Sequence, residues 1–145
     1  MERLRRILLV LFILGTAATA ADLALVEHYE DTWQLTPFAL LALAATGAAT
    51  CLITPSHAPV RVFRWSLMLL MAGGVIGTWL HYDGNIEFER EVSPDLAGFA
   101  LFLKAVKGAS PPSVAPLSLI HLGLLGLAAT YRHPALRVNT LEEER

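Results

Sequence analysis

The chain has 145 residues, of which 54% are hydrophobic and 17% charged, and its formal net charge at pH 7 is −2. A soluble domain of this size would have too little polar surface to cover itself, and the small net charge gives no reason to expect a nucleic-acid partner. Cys51 is the single cysteine, which excludes an intrachain disulfide. We therefore expect one all-α integral membrane domain over residues 1–145, with the lipid bilayer as its main partner.

Apolar stretches along the chain predict a four-transmembrane-helix bundle, because a helix that crosses about 30 Å of hydrocarbon needs roughly 20 residues. The predicted spans are residues 7–26, 35–53, 62–80 and 113–131. Small residues recur in all of them and predict close contacts between helices. The same small-residue faces are also suited to a homo-oligomer or to a larger membrane complex.

The first span also fits a cleaved secretory signal peptide. A basic start and an apolar run precede small residues near Ala20 and Ala21. Apolar character continues through Val26, beyond this cleavage point, which favours retention of the span. Cleavage would leave three spans and would not change the sides on which the later loops lie, so both alternatives remain open.

Basic residues in the short flanking segments indicate the orientation. They precede the first span, lie between the second and third, and follow the fourth, whereas the loop after the first span has none. These residues are Arg3, Arg5, Arg6, Arg61, Arg64, Arg132 and Arg137. The positive-inside rule then predicts a plasma (inner) membrane protein with both termini in the cytoplasm, including a tail at 132–145.

The long outer loop, residues 82–112, contains a predicted helix of its own. A turn at 83–85 and an extended segment at 86–92 are predicted first, from turn residues followed by alternating apolar and acidic side chains. Ser93 as N-cap and Gly108 as a stop then predict a helix over 94–107. At about 21 Å it is too short to cross the membrane, so we expect it in the outer interface or as a lid over the bundle.

Histidines and carboxylates cluster at the outer ends of the first and third spans. Imidazole and carboxylate groups are donors that Zn²⁺, Mn²⁺ and Fe²⁺ accept, so a divalent transition metal is the candidate cofactor. No metal-binding spacing such as HExxH is present, and a solvated acidic surface with interfacial histidines is the alternative. The candidate metal or ligand residues are Glu27, His28, Asp31, His81, Asp83 and Glu87.

His121 is the ionisable residue that lies deepest in a predicted span, about 12 Å from its start. A group at that depth is expected to face protein or a water-filled cavity. It fits a neutral imidazole hydrogen-bonded to another helix, a proton relay, a quinone contact or a haem ligand. Haem ligation together with His81 is disfavoured, because the two histidines are predicted at different depths.

Two classes of function follow from these patterns. The preferred class is a small multi-pass binding or accessory protein that holds a divalent metal ion or contacts a partner through its outer His/carboxylate layer. The alternative is a small transporter or membrane oxidoreductase that uses this layer together with His121 for ion or proton handling. The first is preferred because no second charged group lies deep in another span. No catalytic motif or catalytic residue is identified, which favours a protein that is not an enzyme.

Overall fold

The computed structural model describes residues 1–108 and 112–136, and every regular element in these ranges is helical. The part of the predicted tail at 137–145, with Arg137, lies outside the described residues, as do residues 109–111 of the predicted outer loop. Three helical segments are long and apolar enough to cross a membrane. The α-helices are α1 (Glu2–Leu25), α2 (Thr36–Ile53), α3 (His57–Val92), α4 (Gly98–Lys107) and α5 (Leu117–Ala129), with 3₁₀ turns at Thr32–Leu35 and Pro134–Leu136.

Four of the helices pack in a ring, in which α1 contacts α2, α2 contacts α3, α3 contacts α5, and α5 returns to α1. The centre of the ring is apolar. The rings of Phe12 on α1 and Phe63 on α3 meet edge to face with their centroids 5.3 Å apart. Leu41 on α2 and Leu67 on α3 are buried in the same core. The fourth helix of this ring, α5, has 13 residues, so its length alone does not make it a span.

Glycines allow the helices of the ring to approach closely, as their sequence pattern predicts. A Cβ atom on Gly74 would lie 2.8 Å from Ile120 Cγ1 and 3.0 Å from the carbonyl oxygen of Pro116. A Cβ atom on Gly15 would lie 2.8 Å from Leu122 Cδ2. These separations are shorter than van der Waals contact, so a larger residue would push the helices apart. The same contacts show which parts of α1, α3 and α5 lie level with one another.

The α3 helix continues well beyond the predicted third span. It has 36 residues and is therefore about 54 Å long, against about 30 Å of hydrocarbon. The turn predicted at 83–85 and the extended segment predicted at 86–92 are both wrong, because these residues are helical. A lone extended segment would leave its backbone N–H and C=O groups without partners, whereas the helix pairs them internally and packs against α4.

The predicted start of α4 is also wrong, while its end agrees with the prediction. Ser93 closes α3 instead of capping α4, since its N–H donates to the Glu89 carbonyl at 2.9 Å. The helix begins at Gly98, which has φ +59°, and ends before Gly108, which has φ +55°. Both values lie in the left-handed region that glycine adopts without strain. Helix α4 is therefore four residues shorter at its N-terminus than the predicted helix.

The fourth apolar stretch is only partly helical. Residues 113–116 form turns, and α5 starts at Leu117, directly after Pro116. Proline lacks the N–H that a helix interior needs, which explains why the regular helix begins only after it. At the other end, Arg132 has φ +48° and the chain leaves the helix axis. A complete span over 113–131 therefore remains a prediction.

Candidate functional site

The two ends of the packed helices differ in chemistry. At one end, the Arg5 guanidinium donates to the carbonyl oxygens of Tyr131 at 3.3 Å and Arg132 at 3.0 Å. The start of α1 therefore meets the end of α5. At the other end, His28, three residues beyond the end of α1, meets His81 on α3. We call these the arginine end and the histidine end.

The imidazoles of His28 and His81 are stacked, with ring centroids 6.1 Å apart and planes inclined by 19°. The end of α1 explains how His28 reaches this position. Glu27 has φ +55°, and the N–H of His28 donates to the Leu23 carbonyl at 2.9 Å, which closes the helix and turns the chain. Both imidazole-bearing residues are half-buried. The structure thus joins two of the six candidate residues, from segments far apart in sequence.

The carboxylates of the first loop do not complete this pair. Helix α1 ends at Leu25, so Glu27 and Asp31 both lie beyond it and do not share a helical face. Asp31 precedes the 3₁₀ turn, where the side-chain oxygen of Gln34 accepts from the N–H groups of Glu30 at 2.8 Å and Asp31 at 3.2 Å. Within residues 1–108 and 112–136, no three His, Cys, Asp or Glu side chains are grouped to hold a metal ion. The metal site stays a prediction that rests on two imidazoles.

Asp83 and Glu87 belong to a different surface of α3. Residues two apart on a helix lie on nearly opposite sides, so Asp83 is turned away from His81. Asp83 and Glu87 are one turn apart and line a shallow depression together with Arg90. The outer layer that the sequence predicts as one site is therefore divided into a histidine pair and a separate patch of mixed charge.

The chain matches no protein-family model, no curated protein and no solved structure. The chemistry of the histidine pair is the most direct indication of function that the described residues offer. Two protonated imidazoles at this separation would repel each other, whereas two neutral imidazoles each present a lone pair. The pair can therefore donate nitrogen lone pairs to a bound cation.

His121 lies on the outer surface of α5 and not in the interior. Its side chain is exposed on the described part of the chain, so these residues do not supply the surface it is expected to face, and that expectation stays a prediction. Gly123 and Gly126, which permit the closest approach, face α3 instead and turn His121 outward. Nδ1 lies 2.9 Å from the Leu117 carbonyl oxygen, which only accepts, so in the neutral imidazole Nδ1 carries the proton and Nε2 presents a lone pair.

Sequence analysis missed a polar cluster that joins the extension of α3 to α4. The Lys104 ammonium donates to Glu89 Oε2 at 3.0 Å, and Glu89 is buried although it is charged. Asn85, one turn earlier on the same face, bonds to the Ala105 carbonyl at 3.2 Å. The four-residue spacing of Asn85 and Glu89 places them on one face of a helix. An extended segment does not bring them together in this way, so the extended prediction hid this relationship.

Proposed function

We propose that this protein is a small membrane-embedded binding or accessory protein that receives divalent transition-metal ions through His28 and His81. The stacked pair at the histidine end carries this proposal. It brings two imidazoles from segments distant in sequence to one place, where both can supply nitrogen donors. Imidazole nitrogen is a suitable ligand for Zn²⁺, Cu²⁺ and Ni²⁺.

Two protein donors leave coordination positions open on the bound ion. Water or a side chain of a partner protein would fill them. A site of this kind holds an ion less firmly than a closed four-ligand site and releases it more readily. This behaviour suits an accessory protein that passes an ion to a partner better than it suits a storage protein or a structural metal centre.

The proposed topology has four spans in the plasma (inner) membrane, with α5 as the fourth and both termini in the cytoplasm. The contact between Arg5 and the backbone at Tyr131 and Arg132 supports it, because it joins the N-terminus to the end of α5 on one side. Basic residues near that side fit the positive-inside rule. The histidine end is then the outer face, where ions from outside the cell would reach it.

Helix α4 is proposed to lie in the outer membrane interface and not over the bundle as a lid. A continuous row of aromatic contacts supports this: Trp79 meets Tyr82, Tyr82 meets Phe102, and Phe102 stacks on Phe99, with centroid separations between 5.9 and 6.4 Å. Phe99 is 72% exposed and Trp79 is 64% exposed. Aromatic side chains with such exposure are typical of the interface between headgroups and hydrocarbon.

The apolar interior favours binding over the alternative of transport or redox chemistry. Thr16 and Ser66 are buried hydroxyl residues in the ring, and each donates to a carbonyl of its own helix, at 2.8 Å to Ile13 and 2.7 Å to Phe63. Their hydrogen-bonding capacity is thus used locally. His121 faces away from this interior, which offers it no polar connection to the histidine end through the described core.

The proposal is tested by titrating purified wild-type protein in detergent with zinc chloride and measuring heat and bound metal. We expect one Zn²⁺ per chain. His28→Gln and His81→Gln should each weaken binding by about tenfold or more, because each removes one of two donors. His57→Gln is the matched control, since this histidine stands at the opposite end of α3.

The outcome that overturns the proposal is equally definite. If wild-type protein takes up no zinc, or if both variants bind as tightly as wild type, the pair is not a metal site. Proton or ion flux in liposomes that contain the purified protein separates the alternative class. A flux that persists in His28→Gln but is lost in His121→Leu would favour the transporter function instead.

A further inference from the structure

Helix α5 exposes a polar residue at a depth where lipid hydrocarbon is expected. Gly74 on α3 lies against Ile120, and Gly15 on α1 lies against Leu122. These contacts with two different helices place His121 level with the middle of the predicted first span and of the predicted third span. Its side chain is exposed on the described chain, and its Nε2 lone pair points away from the helix that binds Nδ1. A polar group in this position is costly unless protein covers it.

We propose that a second copy of this chain covers this surface, so that the protein forms a parallel dimer through α5. The His121 face consists of exposed residues on one side of the helix. Its members are Ser118, His121, Leu124 and Ala128. Gly73, Gly74 and Gly77 of α3 and Gly123 and Gly126 of α5 are already occupied by contacts inside the chain, so these glycines are not available for a subunit contact.

Hydrogen-bonding complementarity identifies a second copy as the occupant. The Nε2 atom of the neutral His121 imidazole is an acceptor, so the covering surface must supply a donor within about one helical turn of it. Two copies inserted in the same orientation place identical residues at identical depths. The hydroxyl of Ser118 lies on the same face, one turn away, and would reach the histidine of the partner copy in a two-fold interface.

The Ser118 hydroxyl is available for this exchange. It now donates to the Ala115 carbonyl at 3.0 Å, and that carbonyl also accepts the backbone N–H of Ser118 at 3.2 Å. Rotation of the hydroxyl toward the partner therefore leaves the carbonyl bonded. The interface would contain this hydrogen bond twice, once for each copy, with Ala128 permitting close approach further along the helix.

The test uses full-length protein in liposomes, with dimerisation measured by energy transfer between labelled copies. His121→Leu and Ser118→Ala should each raise the dimer dissociation constant by about tenfold, the range expected for polar contacts between membrane helices. The dimer dissociation constant of the double variant should not exceed the larger of the two single-variant constants, because both changes remove the same hydrogen bond. Leu69→Ala, on the exposed surface of α3, is the control and should change little.

Cysteine cross-linking locates the interface independently. In a Cys51→Ala background, Ala128→Cys should form a disulfide-linked dimer in membranes under oxidant. Leu14→Cys, which is 60% exposed on α1, should not. A wild-type protein that stays monomeric in liposomes overturns the proposal, as does a dimer that is unaffected by His121→Leu. Zinc binding at the histidine end is a separate measurement, so either proposal can fail alone.

Discussion

Asn85 on α3 and Ser113 at the approach to α5 are joined by a hydrogen bond, in which Asn85 Nδ2 donates to Ser113 Oγ at 2.9 Å. Ser113 is buried, and its hydroxyl donates in turn to the Ala105 carbonyl at 2.6 Å. Asn85 Nδ2 also donates to this carbonyl, at 3.2 Å. One asparagine thus ties the extension of α3 to the end of α4 and to the segment that leads into α5.

Asn85→Ala is expected to lower the free energy of unfolding by about 1–3 kcal/mol, because it removes the donor to the buried Ser113 hydroxyl oxygen and one of the donors to the Ala105 carbonyl. Thermal unfolding in detergent, followed by circular dichroism, measures the change. Asp83→Ala is the matched control, since Asp83 is exposed on the same helix. Ser113→Ala should be coupled to Asn85→Ala in a double-mutant cycle. Additive effects of the two substitutions would contradict this account.

Lys104→Met is expected to destabilise the contact between α3 and α4. The Lys104 ammonium is bonded to Glu89, whose side chain is 12% exposed, while the lysine side chain is 51% exposed. Because the lysine is partly solvated, we expect the free energy of unfolding to fall by about 1–2 kcal/mol, which is less than the loss on breaking a fully buried ion pair. Protease sensitivity of residues 93–107 in detergent checks it. Lys107→Met, an exposed lysine on the same helix, should behave like wild type.

Arg5→Gln is expected to lower the free energy of unfolding by about 0.5–1.5 kcal/mol. The reason is that the guanidinium donates hydrogen bonds to two exposed carbonyls at the arginine end. Hydrogen exchange at residues 130–133 should become faster in this variant. Arg3→Gln changes an exposed arginine at the same end and is the control. Equal exchange in both variants would show that the contact does not hold the end of α5.

Acidification is expected to destabilise the arginine end through His133. Burial, and then the positive charge of Arg5, lower the pKa of His133 below its ordinary value of 6.5, while Glu2 opposes them. Its Nδ1 also accepts the N–H of Ala135 at 3.2 Å, a bond that protonation removes. Because the folded-state pKa is lowered, this contribution to stability is complete above about pH 6.5 and is lost as the pH falls below it.

His133→Gln should therefore reduce the dependence of unfolding free energy on pH between about pH 7 and 5. Thermal unfolding of wild type and variant across this range measures the difference in slope. Arg5→Gln should have a smaller effect in the same direction, because it removes one cause of the lowered pKa. Identical slopes for wild type and His133→Gln would contradict the assignment.

Much of the fold could be predicted from hydropathy and small residues. The first three apolar stretches coincide with segments long and apolar enough to cross a membrane, and Gly108 ends α4 as expected. The segment around Glu89 could not be predicted in this way. Its alternating pattern is compatible with a strand, and only packing against α4 shows that Glu89 and not Phe88 is buried. The 3.6-residue period becomes recognisable once the contacting face is known.

The candidate site was predictable in part. Charge sorting placed His28 and His81 near the same end, and the structure stacks them. The structure does not place Asp83 beside this pair, because residues two apart on a helix lie on nearly opposite sides and Asp83 is two residues after His81. The sequence identified His121 as the deepest ionisable residue of a predicted span. The side of α5 from which its side chain projects depends on the face that the glycines place against α3.

The sequence by itself determined the membrane character of the protein, since the free energy of placing apolar segments in lipid is a local property that sums along each segment. Tertiary structure alone decided which face of each helix is covered. The rotation of α5 about its axis follows from glycine contacts with α3, and the continuation of α3 follows from its contact with α4. Such choices depend on shape complementarity between segments that are distant in sequence, which no single segment encodes.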